Sequence, residues 1–140
     1  MAQTAMLTLI GRQRDQNGEE SVTETRAKAD YYEKGGAFYI LYEEVSDDST
    51  DVIKTTIKYR DNVLEMAKRG SVRTRMIFQA GQTHRTDYVT PYGILPLEVA
   101  TRRAEFSREV GRVEIRLEYA LSSDRQLLSE CSLHLRLRFL

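Results

Sequence analysis

Several residue types are scarce in this chain of 140 residues, and each scarcity closes a class of answers. A single cysteine, Cys131, leaves no internal disulfide and no cysteine-based zinc site. Two histidines, His84 and His134, are too few and too far apart in sequence for a His-rich metal site. No apolar run approaches the ~20 residues of a membrane-spanning helix. Net charge is also missing. Lys+Arg and Asp+Glu both number 21, which removes the simple electrostatic argument for nucleic acid or an anionic lipid surface. There is no Gly-x-Ser-x-Gly elbow for a serine nucleophile. Gly35-Gly36 lacks the spacing of a phosphate loop and precedes a strand-like run, so it reads as a hairpin turn. Ahead of its short apolar stretch Ala5–Ile10, the N-terminus has no basic region of the kind a secretory signal carries. The expected compartment is therefore the cytoplasm, which a lone cysteine also suits.

What is present is alternation. Hydrophobic residues make up 41% and charged residues 30%, which suits one domain over residues 1–140. Val113, Ile115, Leu117, Tyr119 and Leu121 alternate with Arg112, Glu114, Arg116 and Glu118. Cys131, Leu133, Leu135, Leu137 and Phe139 alternate with Ser132, His134, Arg136 and Arg138. The same period of two runs through Ile53–Tyr59 and Val72–Phe78, and it is the mark of half-buried strands. Turn signals separate the runs: Asn17-Gly18, Gly35-Gly36, Asp47-Asp48-Ser49, Asp61-Asn62, Gly70-Ser71, Ala80-Gly81, Pro91-Tyr92-Gly93, Val110-Gly111 and Ser122-Ser123-Asp124. Nine turns imply ten segments.

Three segments are less regular. Ala37–Val45 is apolar on both faces, so either the Ser21–Lys34 segment or a second subunit is expected to cover its outer side. Ser21–Lys34 begins strand-like, but its Arg-Ala-Lys-Ala-Asp run suggests a short helix. Leu95–Phe106 changes parity midway, which predicts a bulge near Ala100–Arg103. Sequential strands with short turns leave two exposed edges unless the sheet closes. The expected fold is all-β, an up-and-down antiparallel barrel of 8–10 strands, with a two-sheet sandwich as the alternative. For the last two strands, charge pairing selects the register that sets Leu117 opposite Leu133 and Glu114 opposite Arg136, across a seven-residue connection.

The order of segments resembles the YwiB-like family of small bacterial proteins. The likeness is carried by Tyr42-Glu43-Glu44, Lys54-Thr55-Thr56-Ile57-Lys58, and Met76-Ile77-Phe78 ahead of Gly81. Tyr88-Val89-Thr90-Pro91-Tyr92-Gly93 and Tyr119-Ala120-Leu121 with Leu127-Leu128-Ser129-Glu130 complete it. The resemblance implies a calycin-like, lipocalin-like β-barrel and a bacterial cytoplasmic origin. It implies no activity, no cofactor and no catalytic residues.

Candidate chemistry is correspondingly thin. By alternation Cys131 points inward as a small hydrophobe, and His134 points outward among arginines. The paired acids Glu19-Glu20, Glu43-Glu44 and Asp47-Asp48 read as solvated turn residues. Residues 1–70 hold ten Lys/Arg against thirteen Asp/Glu, and residues 71–140 hold eleven arginines against eight acids. Cross-strand pairing on a wet face accounts for these arginines without nucleic acid. A barrel interior either fills with side chains or holds one small ligand. Placing Tyr88 inward brings His84 and Thr86 to the lumen with it, and Thr55, Thr74 and Tyr119 belong to other inner faces. The expected function is binding of a small apolar or amphipathic ligand in the lumen, with no cofactor and no metal. The alternatives are a protein-interaction or homodimer-forming module using the outer face, and an enzyme with His84 as acid or base.

Overall fold

Alternation dictates the architecture. A strand with one apolar and one polar face must bury the apolar one, and a row of such strands does so by curling. The computed structural model describes residues 2–45 and 51–140, and the expected break at Asp47-Asp48-Ser49 lies outside them. Ten strands form one antiparallel sheet: β1 Gln3–Asp15, β2 Glu20–Lys34, β3 Ala37–Val45, β4 Val52–Arg60, β5 Val63–Arg69, β6 Thr74–Phe78, β7 Thr83–Thr90, β8 Gly93–Glu109, β9 Arg112–Ser123 and β10 Gln126–Phe139. The spatial order is β6-β5-β4-β3-β2-β1-β10-β9-β8-β7. Consecutive strands pair as hairpins throughout, except β6 and β7, which form the two edges of the sheet. A long ladder from Ala5↔Phe139 to Asp15↔Ser129 joins the first strand to the last. The fold is thus an all-β, nearly closed barrel.

Closure stops short between β6 and β7. Among the described residues the bridge between them is Arg73↔Val89, held by two backbone hydrogen bonds of 2.9 Å. At the other end of the pair, Gly81 N–H donates to the Thr101 carbonyl and Thr101 N–H donates to that of Gln82. Between these ties the facing edges of β6 and β7 share no ladder, which leaves a slot in the wall.

The interior follows parity. Leu7, Ile40, Ile57, Leu64, Phe78, Val99, Val113, Ile115, Leu117, Leu135 and Leu137 are all essentially fully buried. Of the residues expected to line the lumen, Ile57, Phe78, Leu117 and Leu135 are buried, while Tyr119 and Leu133 pack against them half-buried. At the end holding the β2–β3 and β4–β5 turns, rings close the barrel. Phe106 lies 4.6 Å from Tyr59 and 4.7 Å from Phe38, and Tyr31 lies 5.2 Å from Phe139. The Arg108 guanidinium caps this cluster, 4.7 Å from the Phe139 ring.

The expected register of the last hairpin is the observed one, with Leu117↔Leu133 and Glu114↔Arg136. The connection is shorter than expected. The strands continue past a bulge at Leu127/Ser129 to a two-residue turn, Asp124-Arg125, with positive φ of 51° and 64°. The predicted bulge in β8 falls between Thr101 and Arg103. The expected helix in Ser21–Lys34 is instead continuous strand. Thr25, Ala27, Ala29 and Tyr31 turn inward while Arg26, Lys28 and Asp30 turn outward, and ladders on both sides override the helix preference of Ala and Lys. The outer side of β3 is not covered by an overlying segment either. Tyr39 stacks on Tyr32 of the adjacent strand at 4.8 Å, and Lys58 lies over its ring.

Gly70 is fixed by its surroundings. It has φ +152°, and a Cβ there would sit 2.6 Å from the Val52 carbonyl oxygen. Gly18 also has positive φ (+82°), but nothing lies within 4 Å of an added Cβ. In urea denaturation, Gly70→Ala should therefore cost more stability than Gly18→Ala, with an excess of about 1–3 kcal/mol. Leu135→Ala should lose about 2–5 kcal/mol, as expected of a filled interior.

Candidate functional site

The registers of β3 to β6 stack the inner face into three layers. The deepest is Phe38–Tyr59–Leu64–Phe78 and the next is Ile40–Ile57–Met66–Met76. The outermost is Tyr42–Thr55–Lys68–Thr74, at the end opposite the aromatic cluster. Three polar side chains in a row on an inward face break the pattern of the layers beneath. Glu44, one inward position beyond Tyr42, places its carboxylate 3.8 Å from Lys68 Nζ, with side chains only 21% and 27% exposed. The expectation that Glu43-Glu44 is a solvated turn pair is corrected: both lie within β3, with Glu43 exposed opposite Lys54 and Glu44 turned inward.

Across the slot stands β7. His84, Thr86 and Tyr88 face inward and are half-buried, whereas Thr83, Arg85 and Asp87 are exposed. Tyr88 senses the same carboxylate: burial, then the charge of Glu44, raises its phenol above the ordinary range. Burial raises the Tyr42 phenol further, again with Glu44 adding to it. Glu44 is thus the charge around which this end of the barrel is organised.

The expected site residues divide into two groups. Thr55, Thr74, His84, Thr86 and Tyr88 come together around the slot and the polar layer. Tyr119 lies on β9, opposite Thr101 and Cys131, with its ring edge-on to Phe78 at 4.8 Å. Burial and the neighbouring Cys131 raise its phenol, and burial likewise raises the Cys131 thiol. A raised thiol carries less of the nucleophilic thiolate at neutral pH. The residues missed in the sequence are Tyr42, Glu44, Lys68 and Thr101. Parity could have found all four, since Tyr42 and Glu44 share the phase of Ile40, Lys68 that of Leu64 and Met66, and Thr101 that of Leu97 and Val99.

Thr55 Oγ1 and Thr74 Oγ1 in the polar layer, and His84 Nε2 on β7, are buried without a well-formed hydrogen bond, as is Thr101 Oγ1 at the other end of the slot. Thr55 is 1% exposed and Thr101 5%. Each such atom carries a desolvation cost, which for Thr55 the adjacent Tyr42 hydroxyl partly offsets. Among the described residues, no group of three His, Cys, Asp or Glu side chains is placed to hold a metal ion.

A family profile described as a domain of unknown function, DUF1934, matches residues 7–135. The chain belongs to the DUF1934 family. Within the curated proteins, this DUF1934 chain is 24% identical over 116 residues to the uncharacterized beta-barrel protein YwiB of Bacillus subtilis (strain 168), covering 81% of this chain and 80% of the relative. Among solved structures it superposes on the crystal structure of the ywiB protein from Bacillus subtilis. The TM-score is 0.87 at 20% identity, covering 99% of this chain and 92% of that one. At this identity the match shows the DUF1934 barrel and leaves its function open.

The phenol shifts make a pH prediction. Tyr31 is pushed up to about 12 by burial and then by the charge of Glu33, and Tyr42, Tyr88 and Tyr119 are also raised. An unfolded tyrosine ionises near pH 10. Below that pH both states are protonated and these groups make no difference. Above it the unfolded chain sheds protons that the fold retains, so stability falls as pH rises. Titration followed by tyrosinate absorbance should show the last phenols ionising together with loss of the strand circular dichroism. Smooth ionisation of all the tyrosines near pH 10 in a folded chain would contradict the assignment.

Proposed function

We propose that this barrel binds a small amphipathic molecule at its polar end. The polar group would rest on Thr55, Thr74 and the Glu44–Lys68 pair, and the apolar part would turn toward Met66 and Met76. The observation that carries this reading is the pair of buried threonine hydroxyls, neither in a well-formed hydrogen bond, beside a parted wall. A ligand group at that place would supply the missing hydrogen bonds. The layer beneath supports the same reading, because two methionines are the side chains most able to repack around an incoming apolar group. The opposite end is stoppered by stacked rings, so access from the polar end or through the β6–β7 slot is the simpler route.

Thr55→Val/Thr74→Val separates this role from a packing role. Removing an unsatisfied buried hydroxyl stabilises a free protein, by about 1–3 kcal/mol for each unmet group. The double variant should melt higher than the parent and yet lose saturable binding of the fluorescent amphiphile anilinonaphthalene sulfonate. Native mass spectrometry of the parent should show a co-purifying small molecule that is absent from the variant. Equal probe binding by parent and variant would overturn the proposal.

A further inference from the structure

Away from the polar end, the outer face of β1, β10 and β9 carries an unbalanced charge. Three contiguous grooves run along it, and their linings include nine arginines but only five glutamates. In a chain without net charge this concentrates positive potential on one face. The middle groove, of about 280 Å³, is the most specifically built. Ser132 and His134 on β10 form its floor, with Arg12 on β1 and Arg116 on β9 to either side. The ladders set Arg12 opposite Ser132 and Arg116 opposite His134. Two interstrand spacings, about 10 Å, therefore separate the strands that carry the two arginines, a distance that extended side chains can close.

Charge compensation is uneven within this groove. Its one carboxylate, Glu118, is already engaged by Arg102 at 3.4 Å and Arg103 at 3.7 Å, and Arg103 also binds Glu105 at 2.6 Å. Among the described residues, neither Arg12 nor Arg116 forms an ion pair. The His134 Nε2 atom is buried without a hydrogen bond, although the Glu114 carboxylate stands 3.5 Å away. Two guanidiniums without an ion pair thus flank a hydroxyl and an unsatisfied imidazole nitrogen, although Arg116 also lies opposite Glu105, whose carboxyl is lowered by Arg103 and then by the Arg116 charge. Guanidinium forks match the oxygens of a phosphate dianion, and two of them facing one groove can share it.

We propose that this groove binds a small phosphate dianion, either free or as a monoester, clamped between Arg12 and Arg116 over Ser132. A nucleic-acid strand fits less well, because no Phe or Tyr lines any of the three grooves to stack a base. This site is separate from the polar end of the barrel and does not rest on the function proposed there.

The test is a titration of the isotope-labelled full chain at low ionic strength, following the amides of Ser132, Leu133 and His134. Inorganic phosphate, glycerol phosphate and a short RNA are added in separate experiments. A saturating shift with phosphate or the monoester, at a Kd of about 1 mM or tighter, is expected. Arg12→Gln and Arg116→Gln should each weaken it about tenfold or more. Arg85→Gln, elsewhere on the wall, and Thr74→Val, at the barrel's polar end, should leave it unchanged. The tighter of the two phosphate probes tells whether the ligand is the free anion or an ester. Weakening of the same size by Arg85→Gln, or a shift that never saturates, would reduce the effect to a general ion atmosphere and overturn the proposal. Tighter binding of the RNA than of either phosphate probe would overturn it as well.

Discussion

The ladder between β1 and β10 is the constraint on which the rest depends. It brings the two ends of the chain together along Ala5–Asp15 and Ser129–Phe139. Without it, two long strands would present bare edges and the apolar faces of ten strands would have nothing to curl around. Joining the ends first and last in sequence costs loop-closure entropy, but that cost grows only slowly with chain length. The buried Ala5, Leu7, Leu9, Leu135 and Leu137 along the same ladder offset it with apolar burial. Because closure is made there, the wall can stay parted elsewhere, and it does so between β6 and β7.

That asymmetry gives the barrel two unlike ends. One is filled by Tyr31, Phe38, Tyr59, Phe106 and Phe139 and capped by Arg108. The other turns Glu44, Lys68 and two threonines inward, next to the parted strands. An inward ion pair is a weak source of stability, since desolvation consumes most of its Coulombic gain. This one stands beside two buried threonines, where polarity breaks the apolar lining of the barrel. On the outer wall, exposed pairs such as Arg85–Glu98 at 3.5 Å contribute little, so arginines left without a partner stand out by contrast.

Much of the fold was legible because strand periodicity and turn chemistry are local. Asn17-Gly18 and Gly35-Gly36 announce their hairpins, and the parity change between Val99 and Ala104 announces the bulge at Thr101/Arg103. The register of β9 on β10 could be chosen from Glu114 and Arg136 alone. Where reasoning from the sequence failed, a non-local term decided. Arg26-Ala27-Lys28-Ala29 prefers helix in isolation but lies between two ladders. Arg125 adopts φ 64° in a turn that its residue type does not advertise. The site was half legible: alternation oriented His84, Thr86 and Tyr88, but charged residues near strand ends suggest solvent, which hid Glu44 and Lys68. The parting of β6 from β7 leaves no trace in side-chain pattern, because it concerns backbone groups that every residue has.

Amide hydrogen exchange resolved by residue tests the closed-and-parted barrel most directly. Strand geometry points the N–H groups of Arg75 and Ile77 on β6, and of Arg85 and Asp87 on β7, into the slot, in phase with Arg73 and Val89. These four amides should exchange rapidly although they lie within strands, while amides of the β1–β10 ladder should be among the slowest in the protein. Strong protection at Arg75, Ile77, Arg85 and Asp87 would mean a sealed wall, and would contradict an account that places the way into the barrel there.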